Sequence, residues 1–357
     1  MAVVAVLKTN PKTVVDDYRK LLHLSSYQDY LPREKETILK INISWHFYFP
    51  ACSTTPWQFE GVVKTMLSEG YKNLIPAQNR TVVVDPKKGA VNNHLTSVLR
   101  KYGLKFIYLY EKGVKWTKFK PKSPLLVLDK IFPEGILIPE LFIGKSALHL
   151  PTLKTHVFTK MTGAMKNAFG GLLRDNRHWC HSQIDEALVD LLTIQKEIHP
   201  GLFAVMDGTI AGSGPGPRVM VPEIKNFILA SADQVAIDAV AAKMMGFEPL
   251  SLPFIRMAHD RGLGCGDLSK IEIKGEDIKG VNFNFKVGDT FASRGQKAIY
   301  HGFLKPLENS LLRSPLVPWS YLASRLYHDL YWYPFIGKGR VKKILKTEWG
   351  KLFESYS

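Results

Sequence analysis

Apolar and polar positions follow two rhythms along the first 280 residues. Val3–Lys8 is a β-branched apolar run, and Asn10-Pro11 is a cap followed by proline; Val14, Val15, Tyr18, Leu21 and Leu22 then recur at helical spacing. Thr37–Ser44 alternates like a strand and runs into the loop Trp45–Thr55. Pro56 opens a helix through Phe59, Val62, Val63, Met66 and Leu67, with Gly70 placed to end it. Thr81–Val84 and Leu104–Tyr110 read as strands on either side of a helix from Asn92/Asn93 to Gly103. Leu125–Leu128, Ala147–Leu150, Leu202–Met206, Asn226–Ala230 and Ile271–Lys274 are further short apolar runs, with helices after Ser182 and from Asp233 to Gly246 between them. Strands that alternate with helices predict an α/β fold, with mixed or mostly parallel sheets flanked by helices and an irregular aromatic and basic C-terminal extension. The expected organisation is a first α/β lobe over 1–145, a second over 146–290, and the extension over 291–357.

Composition narrows the class. The chain has 357 residues, 45% hydrophobic and 22% charged, a globular profile. Cys52, Cys180 and Cys265 lie too far apart for a disulfide framework or a CxxC cassette, so no intrinsic iron–sulfur cluster is expected. No apolar run reaches the ~20 residues of a spanning helix. Met1–Leu7 is too short for a signal peptide. A cytoplasmic protein is expected, with peripheral contact at a membrane as the other option. The net charge of +16 favours an anionic partner. Part of it sits at Arg100, Lys101, Lys105, Lys112, Lys115, Lys118, Lys120 and Lys122, faced by Glu111 alone. With no zinc finger, aromatic RNA-binding strand or helix-turn-helix, the sequence argues against nucleic acid.

Two stretches concentrate chemistry. Leu153–Gly171 sets His156 and the lysines Lys154, Lys160 and Lys166 among threonines and glycines. Lysines and hydroxyls beside glycine-rich backbone suit an anion. His156 is the proton-transfer candidate at neutral pH. Lys166, with Ala164, Met165, Ala168 and Phe169 around it, is placed for a lowered pKa and for work as base or nucleophile. Lys154, Thr155, Thr162 and Asn167 are the substrate-binding candidates beside them. The second stretch, Asp207–Arg218, follows a buried strand at its carboxyl end, where open α/β sheets place ligands. Asp207, Gly212 and Gly214 would bring backbone and carboxylate to the ligand, and Arg218 would hold a carboxylate or phosphate. His178, Cys180 and His181 are too close in sequence to form a tetrahedral metal set alone, so no metal ligand is assigned.

These motifs carry a resemblance. Leu150-Pro-Thr-Leu-Lys-Thr-His156, Gly163-Ala-Met-Lys-Asn-Ala-Phe-Gly170, Asp207-Gly208 with Gly212-Ser-Gly-Pro215, and Leu229–Phe247 are similar to successive motifs of the domain of unknown function 362 family. The likeness covers residues 1–280. The family implies no single chemistry, and the tandem ferredoxin cassette of many members is missing here. More distantly, the chain resembles nickel-pincer lactate racemases, which have a histidine, a glycine-rich stretch and a lysine ten positions on, as His156 and Lys166 are here. Where those enzymes have Gly-Arg-Lys, this chain has Ala164-Met165-Lys166. That resemblance implies a nickel-type nucleotide cofactor anchored at Lys166, with His156 as metal ligand or proton carrier; otherwise the cofactor is unknown.

The extension interleaves Trp319, Tyr321, Tyr327, Tyr331, Trp332 and Tyr333 with Arg313, Arg325, Lys338, Arg340, Lys342 and Lys343. Such a mixture suits an aromatic wrap around the body or an anionic membrane surface. Three functions are therefore expected in turn. The first is an isomerase-like enzyme that binds an anionic small molecule in an interlobe cleft, with Lys166 and His156 doing proton-transfer or covalent work. The second is a reductase fed by a separate ferredoxin, on a lipid-like substrate. The third is a non-catalytic module for anionic lipid or nucleic acid.

Overall fold

The computed structural model describes residues 1–81, 83–308, 310 and 318–357. Val82, inside the strand expected over 81–84, and Arg313 of the basic tail lie outside them. The strands are β1 (Ala2–Lys8), β2 (Thr37–Ile41), β3 (Leu74–Gln78), β4 (Ile107–Tyr108), β5 (Trp116–Phe119), β6 (Ile136–Pro139), β7 (Ser146–Leu150), β8 (Thr152–His156), β9 (Lys160–Thr162), β10 (Leu202–Ser213), β11 (Val221–Ser231) and β12 (Ile271–Gly275). Among the described residues, ten of them form one sheet in the order β12-β1-β11-β10-β7-β2-β3-β4, with β8 joining β10 and β9 joining β8. β10, β7, β2, β3 and β4 run parallel, as do β1 and β12. β11 runs against both of its neighbours. The sheet is thus mixed and mostly parallel, and the fold is α/β. Strands from residues 1–145 and from 146–290 hydrogen-bond directly, since β2 pairs with β7 along its whole length.

Alternation along each strand sorts the core into two faces. Val4, Val6, Ile38, Ala204 and Met206 face one side, where the helices Ile184–Ile198, Gln234–Met245 and Pro253–Asp260 cover them. Ala5, Leu39, Ile41, Phe203 and Val205 face the other, under the helices Val14–Leu24 and Pro56–Ser68. Each fully buried Ile or Leu in these layers contributes roughly 1.5–3 kcal/mol.

Several elements differ from the pattern read in the sequence. β10 continues through Asp207–Ser213, placed above beyond the end of the strand; its glycines are accommodated because the register shifts between Gly208 and Ile210 while Ile210 and Ala211 stay paired and buried. β3 lies at Leu74–Gln78, ahead of the strand expected at 81–84, where Thr81 and Val84 form only an isolated bridge. Beyond residue 290 the described chain is mainly helical, with Phe291–Tyr300, Pro318–Arg325, a π-helical stretch Leu326–Gly337, Lys338–Leu345 and Glu348–Glu354. This arm is pinned to the body. Trp45 Nε1 donates to Asp329 at 2.8 Å, Arg340 Nη1 to the Met220 carbonyl at 2.6 Å, and Trp349 Nε1 to Asn226 at 2.7 Å. Buried Trp332, Trp349 and Phe353 extend the second face of the core.

Candidate functional site

After β2 the chain moves through β3 and β4 to one side, then returns to β7 on the other side of β2. The crossovers therefore part between β2 and β7, and a crevice opens at the carboxyl ends of the strands, where ligands bind in such sheets. A cavity of about 830 Å³ occupies that place. Residues just beyond β2 (Asn42, Ser44), the last residue of β3 (Gln78), the last of β8 (His156) and the turn after β10 (Pro215–Arg218) line it.

Lys166 is positioned from three directions. Asp238, on the helix Gln234–Met245, accepts the Ala164 and Met165 N–H groups at 2.6 and 3.1 Å and so caps the short helix Ala164–Asn167. A side chain at Gly163 would collide with that carboxylate, which explains the glycine. Asn167 Nδ2 donates to the Lys40 carbonyl at 2.9 Å and ties the helix to β2. Gly171 lets Lys40 pass: a Cβ there would lie 2.6 Å from Lys40 Cε. Lys166 Nζ sits 4.9 Å from the centre of the Phe169 ring and donates no hydrogen bond to the described residues. Burial, with Arg177 and Lys154 adding to it, pushes its pKa down to about 8, although Asp185 pulls the other way. Burial raises the Asp185 carboxyl itself to about 6.

The other cations converge on the same space. Lys40 donates to the Ile41 carbonyl at 2.5 Å and to Gln78 Oε1; burial and then Arg177 hold its pKa well below the usual lysine range. Arg177 reaches the Arg80 carbonyl at 2.5 Å, and Arg218 Nε the Ser44 carbonyl at 3.3 Å. Together Lys40, Lys166, Arg177 and Arg218, with His156, His178, His181 and His328, line the cavity, and the described lining contains no Asp or Glu. Burial holds His156, His181 and His328 as neutral rings. Burial, then Lys166, keeps His156 well below its ordinary pKa, and His181 is pushed down to about 3 by burial and then Lys166. His156 Nδ1 accepts from the Phe158 N–H at 3.2 Å, which assigns its proton to Nε2. In this state His156 is a donor, and the nearby amine able to take up a proton near neutral pH is Lys166.

Over this polar floor lies an apolar roof. Phe291, Ile299, Leu304, Trp319, Leu326 and Tyr327 come from the C-terminal segments. His181 stacks on Tyr300 at 5.7 Å and meets Phe158 and Phe169 edge-on.

Of the residues expected from sequence, His156, Lys166, Thr162, Asn167 and Arg218 line the cavity. The Thr162 hydroxyl is buried there without a partner among the described residues. Lys154, Thr155, Asp207, Gly212 and Gly214 do not line it. Lys154 lies beneath the floor and donates to the Cys52 carbonyl and to Ser44 Oγ. Thr155 Oγ1 donates to the Gly212 and Gly214 carbonyls at 3.2 and 2.6 Å. Asp207 is buried under donors from Thr55, Trp57 and Thr209. Lys40 was missed in the sequence. Its signal was an ionisable residue on the same strand face as buried Ile38, in a strand covered on both sides. Arg177 was missed as well, and its stretch Asp175–Gln183 is a 3₁₀ helix that gives no amphipathic pattern. No group of three His, Cys, Asp or Glu able to hold a metal ion occurs among the described residues. Lys166 and His156, the pair the distant resemblance assigns to a cofactor, both face the cavity.

Residues 37–243, more than half of the chain, match the family model described as Domain of unknown function (DUF362). The chain belongs to the DUF362 family. The DUF362 match contains Lys40, His156, Lys166, Arg177 and Arg218, whereas the roof beyond residue 290 lies outside it. A thylakoid-associated protein of Synechocystis sp. is 30% identical over 123 residues, which is 32% of this chain and 37% of that protein. The chain therefore spans about a third of the length of the curated relative it matches. No solved structure matches the chain. No helix among the described residues is long and apolar enough to cross a membrane.

Proposed function

We propose that the cavity binds an amphipathic anion and that Lys166 moves a proton on it, as in an isomerase-like enzyme. The observation that carries this reading is the lining: four cationic side chains and four histidines at the strand ends, no carboxylate among the described lining, and an aromatic and aliphatic roof. A purely polar metabolite would leave the roof against water. A neutral lipid would leave the Lys166 ammonium, which donates no hydrogen bond to the described residues, desolvated with no counter-charge in the described lining, which is costly. An anionic head on the floor with an apolar body under the roof satisfies both. The minor neutral fraction of Lys166 that a pKa of about 8 leaves near pH 7 takes a proton from the bound molecule, and the ammonium so formed returns it at a different atom, so no outside oxidant or reductant is needed. His156 Nε2–H, Thr162 and Arg218 hold the charge that develops. The name of the Synechocystis relative, thylakoid-associated, supports a place beside a membrane for this chain as well.

The test is calorimetric titration with dodecanoate, whose single charge is constant above pH 6, against dodecanol. Dodecanoate is expected to bind and dodecanol to bind at least about tenfold more weakly, one charge-assisted hydrogen bond being worth that much. Dodecanoate affinity should also fall as pH rises through about 8, where Lys166 loses its charge. Equal affinity for the two ligands, or a flat profile from pH 7 to above 9, sinks the anion reading.

A further inference from the structure

We propose that the outer face of the helical arm after residue 318 docks on an anionic membrane surface. Trp319, Leu322, Leu326, Leu330 and Phe335 are 45%, 59%, 48%, 66% and 76% exposed. Their spacing of three, four, four and five residues follows the helix as its turn widens into the π-helical stretch Leu326–Gly337. They form one apolar stripe about four turns long, while Trp332 on the opposite side is buried against the body. Single exposed apolar residues are ordinary on a protein surface; a continuous stripe marks something it meets. The other roof segment presents Phe291 and Phe303, 82% and 83% exposed.

Charge selects the occupant. Between residues 318 and 347 the single acid is Asp329, which is held inward by Trp45. Arg325, Lys338, Lys342, Lys343 and Lys346 are exposed on the same arm. Apolar side chains flanked by basic ones match acyl chains beneath anionic headgroups. A second copy of this chain in a two-fold interface would set the same basic residues against each other. Trp319 and Leu326 belong to both the stripe and the cavity wall, so the docking face is continuous with the apolar part of the cavity. An amphiphile could pass between bilayer and cavity along them. The docking itself does not depend on what the cavity binds.

The experiment is co-sedimentation of the full chain with vesicles of phosphatidylcholine alone or mixed with phosphatidylglycerol, at low and high salt. Binding is expected only with phosphatidylglycerol and should weaken as salt rises. The double variant Leu330→Glu with Phe335→Glu, and separately Lys342→Glu with Lys343→Glu, should each bind those vesicles roughly tenfold or more weakly. These side chains are exposed and outside the cavity, so the unfolding midpoint and the dodecanoate affinity should stay at wild-type values. Three results overturn the proposal: no binding to phosphatidylglycerol vesicles at low salt, wild-type binding by both double variants, or a wild-type dimer that the Leu330/Phe335 variant dissociates. Loss of dodecanoate binding with vesicle binding intact would count against the cavity reading alone.

Discussion

Lys166→Met weakens dodecanoate binding by about a hundredfold and makes the protein more stable at pH 7. The first effect follows from removing one partner of a desolvated charge pair, which costs roughly 2–5 kcal/mol of binding, at about 1.4 kcal/mol per tenfold. The second follows from the empty fold. Lys166 is buried and donates no hydrogen bond to the described residues, so in the absence of ligand it is a charge removed from water with little in return. Its pKa drops from 10.5 to about 8 on folding. At about 1.4 kcal/mol for each tenfold loss of proton affinity, the strain is on the order of 3 kcal/mol at neutral pH. The unfolded chain holds this proton more tightly than the folded one. Stability due to Lys166 therefore rises as pH climbs from about 8 to 10.5, and the full penalty is present below pH 8. Methionine matches the lysine stem in volume and carries no charge, so the variant should lose that part of the pH dependence. Urea unfolding at pH 7 and at pH 9.5, beside titration with dodecanoate, reads both effects. A variant that is less stable at pH 7, or one that keeps its affinity, ends the assignment of Lys166 as a cation held ready for ligand.

Asp207→Ala lowers the free energy of unfolding by about 3 kcal/mol or more, and it leaves dodecanoate affinity within about threefold. The carboxylate is a clasp between β10 and the start of the helix Pro56–Ser68. Thr55 Oγ1 and Trp57 Nε1 donate to Oδ2 at 2.5 and 2.9 Å, while Thr209 donates to Oδ1 through both N–H and hydroxyl at 2.7 and 2.6 Å. Truncation leaves these donors buried without an acceptor, and each such orphan costs roughly 1–3 kcal/mol. Burial raises the Asp207 carboxyl above its ordinary value, which limits the loss because part of the clasp works against desolvation. A denaturation midpoint equal to wild type, or a large loss of dodecanoate affinity in a folded variant, would return Asp207 to the binding machinery.

Asp207 also shows where the sequence could and could not be read. A carboxylate beside glycines at the end of a buried strand has the pattern of a ligand site. The long-range partners Thr55 and Trp57 that make it structural are some 150 positions away. His156, Lys166, Thr162, Asn167 and Arg218 were legible because they sit one or two turns from glycines at strand ends, a local signal. Lys154 is on the same strand as His156 and two residues earlier, which places it below the floor; only the depth of the cavity separates the two. Most strands and the helices Pro56–Ser68 and Gln234–Met245 follow from apolar periodicity and caps. β3 did not, because Pro76 in a buried strand reads as a break, yet Pro76 aligns with Leu39 in the parallel ladder. The roof was invisible for another reason: the extension reads as irregular because its aromatic and basic residues are interleaved and broken by prolines, and nothing in that pattern says that one side faces the cavity.

The place of β1 in the sheet has a consequence for the newborn chain. Ala2–Lys8 is hydrogen-bonded on one side to β11 and on the other to β12, with Leu7 opposite Ile228 and Val4 opposite Ile273. Neither neighbour exists when the segment leaves the ribosome. At about 5–20 residues per second, the first partner follows some 10–45 s later. For that interval Ala-Val-Val-Ala-Val-Leu is an unpaired, uncharged strand of high β propensity, the kind of segment that pairs with other copies of itself. The yield of folded protein should therefore depend on translation speed and on chaperones that hold the first residues apart, long before any ligand reaches the cavity.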